Sequence, residues 1–299
     1  MKWQAKYMTQ RGLSLMPFGV GTTINHWLSS NFGGLRDSPE YAIPNTFGMV
    51  GLLEQLGHTV KGKRFVELGT GWSGSSPLVL LSLGAESVSS YDLFRHLEKE
   101  RLEHALGHFD CLDPYTSRKF PFEVDLRSVA ERCRKQQIDL ERFHYFAPHD
   151  ARTTGLPPDS ADVYYSSAVL EHVRHDILPQ IHAETYRILK RGGVFYHYVQ
   201  PTMHAVQVDR KATGIDYLCC SDTQWKLLFE NDIAHENRLR HVDHAQLLEA
   251  AGFEIIADWK TIDKRALAAL PNRRLSKRFE NYSPEELATD YCWIVGRKP

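Results

Sequence analysis

The architecture of this chain follows from one glycine-rich segment, Val66-Glu67-Leu68-Gly69-Thr70-Gly71-Trp72-Ser73-Gly74. An apolar run at 64–68 leads into it and is typical of a buried strand, and the apolar segment 75–83 after it predicts a helix. The glycines have the spacing G-x-G-x-x-G, which lets a backbone turn tightly and approach a ligand closely. Glycine spacing alone is a weak signal, so the flanking segments must support it.

Strand-like and helix-like segments alternate on both sides of this loop. Besides the strand at 64–68 and the helix at 75–83, the sequence predicts strands at 87–92, 143–147, 161–166, 194–199, 253–258 and 291–296, and helices at 47–56, 96–106, 124–133, 178–189 and 244–251. Such alternation produces βαβ units and a parallel sheet that helices cover on both faces. The predicted fold class is a doubly wound α/β fold.

Composition excludes several classes of protein. The 299 residues are 42% hydrophobic, enough for a large core, and 36 Lys and Arg against 37 Asp and Glu give a net charge of −1 and no global basic field for nucleic acid. No apolar run approaches the roughly 20 residues of a membrane span, and the N-terminus lacks the pattern of a secretory signal. Five cysteines without a Cys-x-x-Cys pair favour a reducing compartment. We expect a globular cytoplasmic protein without nucleic-acid or membrane partners.

The end of the second predicted strand carries an acidic residue, Asp92, which can accept hydrogen bonds from both hydroxyls of a ribose. Dinucleotides and S-adenosylmethionine are both bound by this arrangement. Glu67 favours S-adenosylmethionine, because a carboxylate near the loop would repel a pyrophosphate but tolerates an ammonium or sulfonium group. Capping of the following helix by Glu67 is the structural alternative.

Five motifs between residues 60 and 200 resemble those of class I S-adenosylmethionine-dependent methyltransferases. The branch that they resemble is the ubiquinone/menaquinone-methyltransferase-like one (methyltransferase type 11). The matching positions are Glu67 to Gly71 with Gly74, the ribose-binding acid Asp92, the acid Asp150 beside the adenine amino group, the fourth-strand motif Asp162 to Val173, and Arg187 to Gly193, where Arg191 replaces a common proline.

The resemblance implies a Rossmann-like sheet of seven strands, mostly parallel, with the last strand antiparallel. It also implies methyl transfer with S-adenosylmethionine as the cofactor. Apolar side chains after Asp92 would cover the adenine ring. The predicted cofactor-binding residues are Glu67, Gly69, Thr70, Gly71, Gly74, Asp92, Leu93, Asp150, Ala151 and Ser167.

The acceptor is expected over the carboxyl ends of the fourth and fifth strands, where open α/β sheets bind ligands. Candidate covers are a cap or lid at 1–45 and two insertions, 110–139 and 200–240, in a methyltransferase domain at 46–299. The second insertion is polar and aromatic, and it resembles sugar- and polysaccharide-modifying methyltransferases. This indicates a small polar acceptor, a carbohydrate or secondary-metabolite hydroxyl. Whether residues 1–45 form a lid or the contact of a homodimer stays open.

Two histidines are the predicted catalytic residues. His172 follows the fourth strand and His204 follows the fifth, and histidine is the usual base near neutral pH. For His172 the alternative is that the pair Glu171-His172 organises the loop and caps the next helix. No clustered carboxylates indicate a metal ion, and no metal site is predicted.

Three other functions were weighed against methyl transfer to a small molecule. Glu67 and Asp150 count against a nicotinamide-dinucleotide oxidoreductase. A non-catalytic partner protein with this fold would commonly lack the loop glycines or Asp92, which are present. The near-zero charge, and Ser166-Ser167-Ala168-Val169 in place of an Asn-Pro-Pro-Tyr-like tetrad, count against RNA or protein as the acceptor.

Overall fold

The computed structural model describes residues 2–16, 20, 21, 24, 39–134 and 137–299. Its strands are β1 Arg64–Leu68, β2 Ser87–Tyr91, β3 Phe143–Phe146, β4 Ala161–Ser167, β5 Leu189–Val199, β6 Glu254–Ile262 and β7 Thr289–Arg297. Its principal α-helices are α1 Trp3–Ser14, α2 Pro39–Gln55, α3 Ser75–Ser82, α4 Lys99–Gly107, α5 Leu126–Arg134, α6 Leu178–Ile188, α7 Asp222–Leu228, α8 His241–Ala250, α9 Lys264–Ala269 and α10 Pro284–Ala288.

The seven strands form one sheet in the order β3-β2-β1-β4-β5-β7-β6. Pairing is parallel from β3 to β5, and β7 is antiparallel to both of its neighbours. The predicted fold class and the antiparallel last strand are confirmed. Because strand order reverses beside β1, the carboxyl ends of β1, β2, β4 and β5 meet at one edge of the sheet, where ligands of such folds bind.

Helices cover both faces of the sheet, as the buried strands require. On one face, α2, α3 and α5 share a hydrophobic core with β1, β4 and β5. On the other face, α6 and α8 pack over the same central strands. The carboxyl edge is therefore held between two rigid layers.

The predicted insertion 110–139 contributes to the core as well as to a cover. Phe120 stacks on Phe122, and both rings contact Trp293 of β7 edge to face. The Phe120 ring reaches α2 at Gly48, where an added Cβ would lie 2.3 Å from it. This insertion therefore fixes α2 against the sheet.

The predicted segments 1–45 and 200–240 pack together. Trp3 and Tyr7 of α1 contact Phe229, and Tyr7 also contacts Trp225 of α7. Helix α2 begins at Pro39 and therefore crosses the boundary that the sequence predicted at residue 45. Within the predicted cap, residues 17–19, 22, 23 and 25–38 lie outside the described residues. Among the described helices, none combines the length and the apolar character that a bilayer crossing requires.

Candidate functional site

The glycine loop turns tightly over the carboxyl ends of β1 and β2. Gly69 has φ +75° and donates its N–H to the carbonyl of Tyr91 at 2.8 Å. A Cβ at Gly69 would lie 2.4 Å from Val169 Cγ2, in the segment after β4. The loop therefore requires glycine here both for its backbone conformation and for close approach to the β4 end.

Two hydroxyl groups of this loop indicate that a ligand belongs beside it. Thr70 Oγ1, and Ser75 Oγ at the start of α3, are buried and have no hydrogen-bond partner in the part of the chain that the structure describes. Buried polar atoms without partners are uncommon, because each costs the free energy of losing water. A polar cofactor held along the loop would supply the missing bonds, so the predicted residues Gly69, Thr70, Gly71 and Gly74 fit the small, polar S-adenosylmethionine.

Asp92 lies across from the loop at the end of β2. Its Oδ2 accepts from Gly71 N at 3.2 Å and its Oδ1 from Phe94 N at 3.3 Å. Burial raises the pKa of Asp92, against the opposing effects of His96 and of these backbone bonds. Leu93 and Phe94 are exposed by 60% and 55%, an apolar surface suited to an adenine ring.

Glu67 lies below the loop and is only 3% exposed. Ser90 Oγ donates to its Oε2 at 2.5 Å, and the buried Tyr165 of β4 lies close to the same side chain, so that burial and this carboxylate raise the pKa of its hydroxyl. In this position Glu67 joins β2 and β4 under the loop. Its predicted contact with a positively charged part of the cofactor stays a prediction.

Asp150 lies at the end of β3, close to Asp92, since His149 N donates to the carbonyl of Asp92 at 2.8 Å. The hydrogen-bonded Arg152 guanidinium holds the pKa of Asp150 below its usual value. Ala151 is buried beside this pair. Arg152 already makes four hydrogen bonds to the Asp150 carboxylate, about as many as a carboxylate accepts, so an adenine amino group would have to replace part of this ion pair.

Sequence reasoning missed a cluster at the end of β5, which we call the tyrosine cluster: Tyr41, Arg118, Tyr198 and Gln200. The hydroxyls of Tyr41 and Tyr198 lie 2.9 Å apart, and Gln200 Nε2 donates to both. Arg118 Nη2 lies 3.3 Å from the Tyr198 hydroxyl, and its guanidinium lies over the Tyr41 ring. Tyr41 and Arg118 come from α2 and from the first insertion, which only tertiary packing brings to β5.

Asn45 is a second residue that sequence reasoning missed. It is 3% exposed, and neither its amide nitrogen nor its amide oxygen has a hydrogen-bond partner within the described ranges. It follows Tyr41 by one helical turn, so both lie on the same face of α2. The adjacent Thr46 donates to Ser76 Oγ at 2.8 Å, which places this part of α2 against the start of α3. Asn45 therefore lies between the glycine loop and the tyrosine cluster.

The two predicted catalytic histidines meet, and Glu171 joins them. Donor atoms of Glu171, His172 and His204 lie within 4.8 Å of one another, and the two imidazole rings meet edge to face. Glu171 is 4% exposed, its Oε1 accepts from Gln200 N at 3.3 Å, and burial raises its pKa to about 8. Helix α6 has no side-chain cap at its N-terminus, so the pair Glu171-His172 does not cap it. The other half of that alternative, in which the pair organises the loop, stays open.

The segment between β4 and these residues is strained. Ala168 has φ +55°, an unfavourable conformation for a residue with a Cβ, and its N–H donates to the carbonyl of Tyr198 at 2.8 Å. Strain of this kind persists where surrounding contacts enforce it, commonly at functional sites. Ser167, the last residue of β4, lies half-buried just before this turn.

Comparisons with known proteins agree on a methyltransferase fold. Residues 121–197 match the family model described as a methyltransferase domain. The 1,6-didemethyltoxoflavin N1-methyltransferase of Burkholderia thailandensis, solved with 1,6-didemethyltoxoflavin and S-adenosylhomocysteine, is 14% identical; the alignment covers 93% of this chain and 86% of that one, with a TM-score of 0.50.

Two further solved structures are S-adenosylmethionine-dependent methyltransferases. That of Mesorhizobium loti is 15% identical over 88% of this chain and 100% of its own, with a TM-score of 0.43. That of Methanosarcina mazei is 18% identical over 80% and 93%, with a TM-score of 0.45. No curated protein sequence matches this chain. Residues 121–197 thus match a methyltransferase domain, and the chain shares the Rossmann-like fold of the Burkholderia thailandensis enzyme.

Proposed function

We propose that this protein transfers a methyl group from S-adenosylmethionine to a hydroxyl oxygen of a small polar acceptor, a sugar or a secondary metabolite. One observation carries the proposal: buried polar atoms without partners lie along the edge of the sheet that joins the glycine loop to the two histidines. They belong to Thr70, Asn45 and Glu171. Two ligands, one on the loop and one over β4 and β5, would supply the missing bonds.

On the cofactor side, the chain offers a separate contact for each part of S-adenosylmethionine. Asp92 would accept from the ribose hydroxyls, Asp150 from the adenine amino group, and Leu93 would cover the adenine face. Thr70 would hydrogen-bond the amino-acid portion along the loop. When bound, S-adenosylmethionine supplies a methyl carbon activated by the sulfonium.

On the acceptor side, the tyrosine cluster favours a small polar molecule. Its hydroxyl, amide and guanidinium groups alternate with aromatic rings, a combination that suits a hydroxylated ring. Hydrogen bonds from Tyr198 and Gln200 would orient the acceptor, and alignment is the largest contribution that an enzyme makes to a displacement of this kind. Helix α1 and the segment 200–240 would exclude water.

The acceptor must also lose a proton. His172 Nδ1 lies 2.7 Å from the carbonyl oxygen of His235, which can only accept, so Nδ1 carries the hydrogen of the neutral ring. The lone pair of His172 is therefore on Nε2. In this tautomer Nε2 can take the acceptor proton, with His204 beside it.

Calorimetric titration with S-adenosylmethionine, S-adenosylhomocysteine and NADH tests the cofactor. We expect micromolar binding of both adenosyl ligands and none of NADH. Binding of NADH alone would favour the nicotinamide-dinucleotide oxidoreductase. No binding of any of the three would favour the non-catalytic partner protein.

The acceptor class needs a second experiment. The protein is incubated with methyl-labelled S-adenosylmethionine and a panel of sugars, phenols and amines, and labelled products are identified by mass spectrometry. We expect an O-methylated product that Tyr198→Phe reduces while S-adenosylhomocysteine binding is unchanged. Label found only on amines would refute the hydroxyl acceptor.

Two further parts of the proposal concern the cellular compartment and the oligomeric state of the enzyme. We place it in the cytoplasm, and the five free cysteines, including the adjacent Cys219 and Cys220, agree with a reducing compartment. We also propose a homodimer, which sedimentation equilibrium would test.

A further inference from the structure

We propose that Glu171, His172 and His204 form a binding site for one divalent transition-metal ion, with Zn²⁺ as the probe of choice. The three residues follow the ends of two neighbouring strands, β4 and β5. Their donor atoms lie within 4.8 Å of one another. Two imidazoles with one carboxylate bind Zn²⁺ and Fe²⁺ in many proteins and leave coordination positions open. The inference is separate from the identity of the methyl donor.

The tautomer of His172 fits a metal ligand. Its Nδ1–H donates to the carbonyl of His235 at 2.7 Å. Metal-binding histidines usually donate their second ring nitrogen to a carboxylate or backbone carbonyl, which fixes the ring and leaves the other nitrogen for the metal. His172 already has this arrangement, so its Nε2 needs no change of tautomer to bind an ion.

Glu171 provides an independent reason to expect a cation. The side chain is almost fully buried, and no described residue hydrogen-bonds its Oε2. Burying a carboxylate costs free energy unless a cation or hydrogen bonds compensate it. One oxygen already accepts from Gln200 N, so the second oxygen is the one available to the ion.

The distances require only side-chain adjustments. Ligand atoms about 2.0 to 2.2 Å from a zinc ion lie roughly 3 to 3.5 Å from one another. The present upper limit of 4.8 Å is larger by an amount that small rotations about the side-chain bonds can remove. The backbone around the site need not move.

Neighbouring residues hold the three ligands in place. Asn237 Nδ2 donates to the carbonyls of Leu170 and Val173, which brackets the turn that carries Glu171 and His172. Glu236 Oε1 accepts from His204 N at 3.2 Å and from the Tyr7 hydroxyl at 2.6 Å. Such supporting bonds are typical of metal centres, where they orient the ligands.

The open coordination positions suggest what the ion would do. A divalent ion lowers the pKa of a bound hydroxyl or water, so it would help the acceptor to lose its proton. This role rests on the proposed function, and it replaces proton uptake by Nε2 of His172, because a bound ion would occupy that lone pair. Metal binding itself does not rest on the proposed function.

The test is a titration of the full-length, chelator-treated protein with Zn²⁺ and with Co²⁺, without S-adenosylmethionine. We expect one equivalent of Zn²⁺ to bind, and visible absorption bands of Co²⁺ in a nitrogen and oxygen environment. His172→Ala and His204→Ala should each weaken Zn²⁺ binding by at least about 100-fold. Circular dichroism spectra and thermal unfolding midpoints like those of the wild type show that both variants are folded.

Two matched controls separate this site from adventitious binding. His175→Ala removes an exposed histidine three residues from His172. His104→Ala removes a histidine of α4 whose Nε2 lies 3.2 Å from Nε2 of His108, just after the helix, and these two rings could chelate Zn²⁺ at the surface. We expect both controls to bind Zn²⁺ like the wild type. Undetectable binding in the wild type, binding that survives His172→Ala and His204→Ala, or loss of binding in His104→Ala would each overturn the inference.

Because no methyl donor is present, the two proposals fail separately. A protein that binds S-adenosylhomocysteine but no Zn²⁺ refutes the metal site alone. A protein that binds Zn²⁺ at this site but no adenosyl ligand refutes the proposed function alone.

Discussion

Buried polar groups are bonded differently at the two edges of the parallel sheet. We call the edge formed by the amino ends of its strands the amino edge, and the edge formed by their carboxyl ends the carboxyl edge. At the amino edge, Asp162 accepts from Arg64 N at 3.0 Å and from the ammonium groups of Lys190 and Lys63 at 2.9 and 3.4 Å. Although burial opposes it, these bonds hold the pKa of Asp162 below its usual value. Lys298 likewise pairs with Asp159 at 2.7 Å. This edge satisfies its polar groups from within the chain.

At the carboxyl edge, Thr70, Asn45 and Glu171 each bury at least one side-chain atom without a hydrogen-bond partner among the described residues. The buried ring nitrogens of His182 and His244, on the helices that cover one face of the sheet, also lack such partners, so atoms of this kind do not mark a site by themselves. At the carboxyl edge they lie beside the glycine loop and the two histidines, where a ligand would supply the partners. The comparison of the two edges therefore agrees with a ligand site at the carboxyl edge.

We expect acid to have the largest effect on stability. It acts on histidines in the layer between α6, α8 and the central strands, which supports both edges of the sheet. Burial lowers the pKa of His182 on α6 to about 4 and of His244 on α8 to about 3, and that of His197 on β5 well below 6.5. All three stay neutral in the folded protein, whereas the unfolded chain takes up protons near pH 6.5. The contribution of these neutral histidines to the free energy of unfolding is therefore fully present above pH 6.5. It is lost as the pH drops from there towards 4.

Each histidine should cost about 1.4 kcal/mol per pH unit in this range, whereas Glu171, whose pKa burial raises to about 8, should offset about one histidine, because the folded protein holds its proton there. Urea denaturation at several pH values between 7 and 5 measures the slope. His244→Leu should lower it by about 1.4 kcal/mol per pH unit, and His144→Gln, at an exposed position on β3, should leave it unchanged. A slope that His244→Leu does not alter would contradict this account.

Glycine substitutions compare the edges directly. Gly69 and Gly192 have nearly the same backbone conformation, with φ +75° and +73°. An added Cβ meets Val169 at 2.4 Å at Gly69 and nothing within 4 Å at Gly192. We expect Gly69→Ala to weaken S-adenosylmethionine binding about 100-fold, because displacing the loop by an ångström misplaces the ligand.

Gly192→Ala should cost about 1 kcal/mol of folding free energy, for the left-handed conformation alone, and leave binding unchanged. Calorimetry and urea denaturation of both variants measure the two effects. Equal effects of the two substitutions on binding would remove the glycine loop from the site.

Two aspartates give the next comparison. Asp92→Ala should weaken S-adenosylmethionine binding by about 1–3 kcal/mol, through loss of charge-assisted hydrogen bonds to the ribose. Asp162→Ala should instead lower the free energy of unfolding by about 1–2 kcal/mol, because it removes the partner of two ammonium groups and one backbone N–H. Calorimetry on each folded variant, with denaturation in parallel, separates the effects. Unchanged affinity in folded Asp92→Ala would exclude Asp92 from the cofactor site.

The sequence was most informative where a local pattern determines a local conformation. The glycine loop, the strand alternation and the acid after β2 depend on neighbouring residues, and the structure confirms the seven-stranded sheet that they predicted. The meeting of His172 and His204 was predictable from topology, since both follow strands that pair in the sheet.

Contacts between distant segments were not predictable in this way. Phe120 packs on Gly48 of α2, and Arg118 and Tyr41 reach Tyr198 from different segments. Nothing in the local pattern of the insertion 110–139 distinguishes a core layer from a surface cover. The unsatisfied state of Asn45 is also invisible in sequence, because it depends on what surrounds the amide.

The smallest expected effect compares two adjacent residues on α2. Thr46 is satisfied, since its Oγ1 bonds Ser76 Oγ and the carbonyl of Ala42, so Thr46→Val should destabilise the ligand-free protein by about 1 kcal/mol. Asn45 buries both amide atoms without partners, and replacing it with the similarly sized Leu should stabilise the ligand-free protein by up to about 1 kcal/mol. The same Asn45→Leu change should weaken S-adenosylhomocysteine or acceptor binding several-fold. Urea denaturation with and without ligand measures both signs. If Asn45→Leu destabilises the ligand-free protein as Thr46→Val does, the amide is part of the scaffold, and the contrast between the two edges loses one of its three residues.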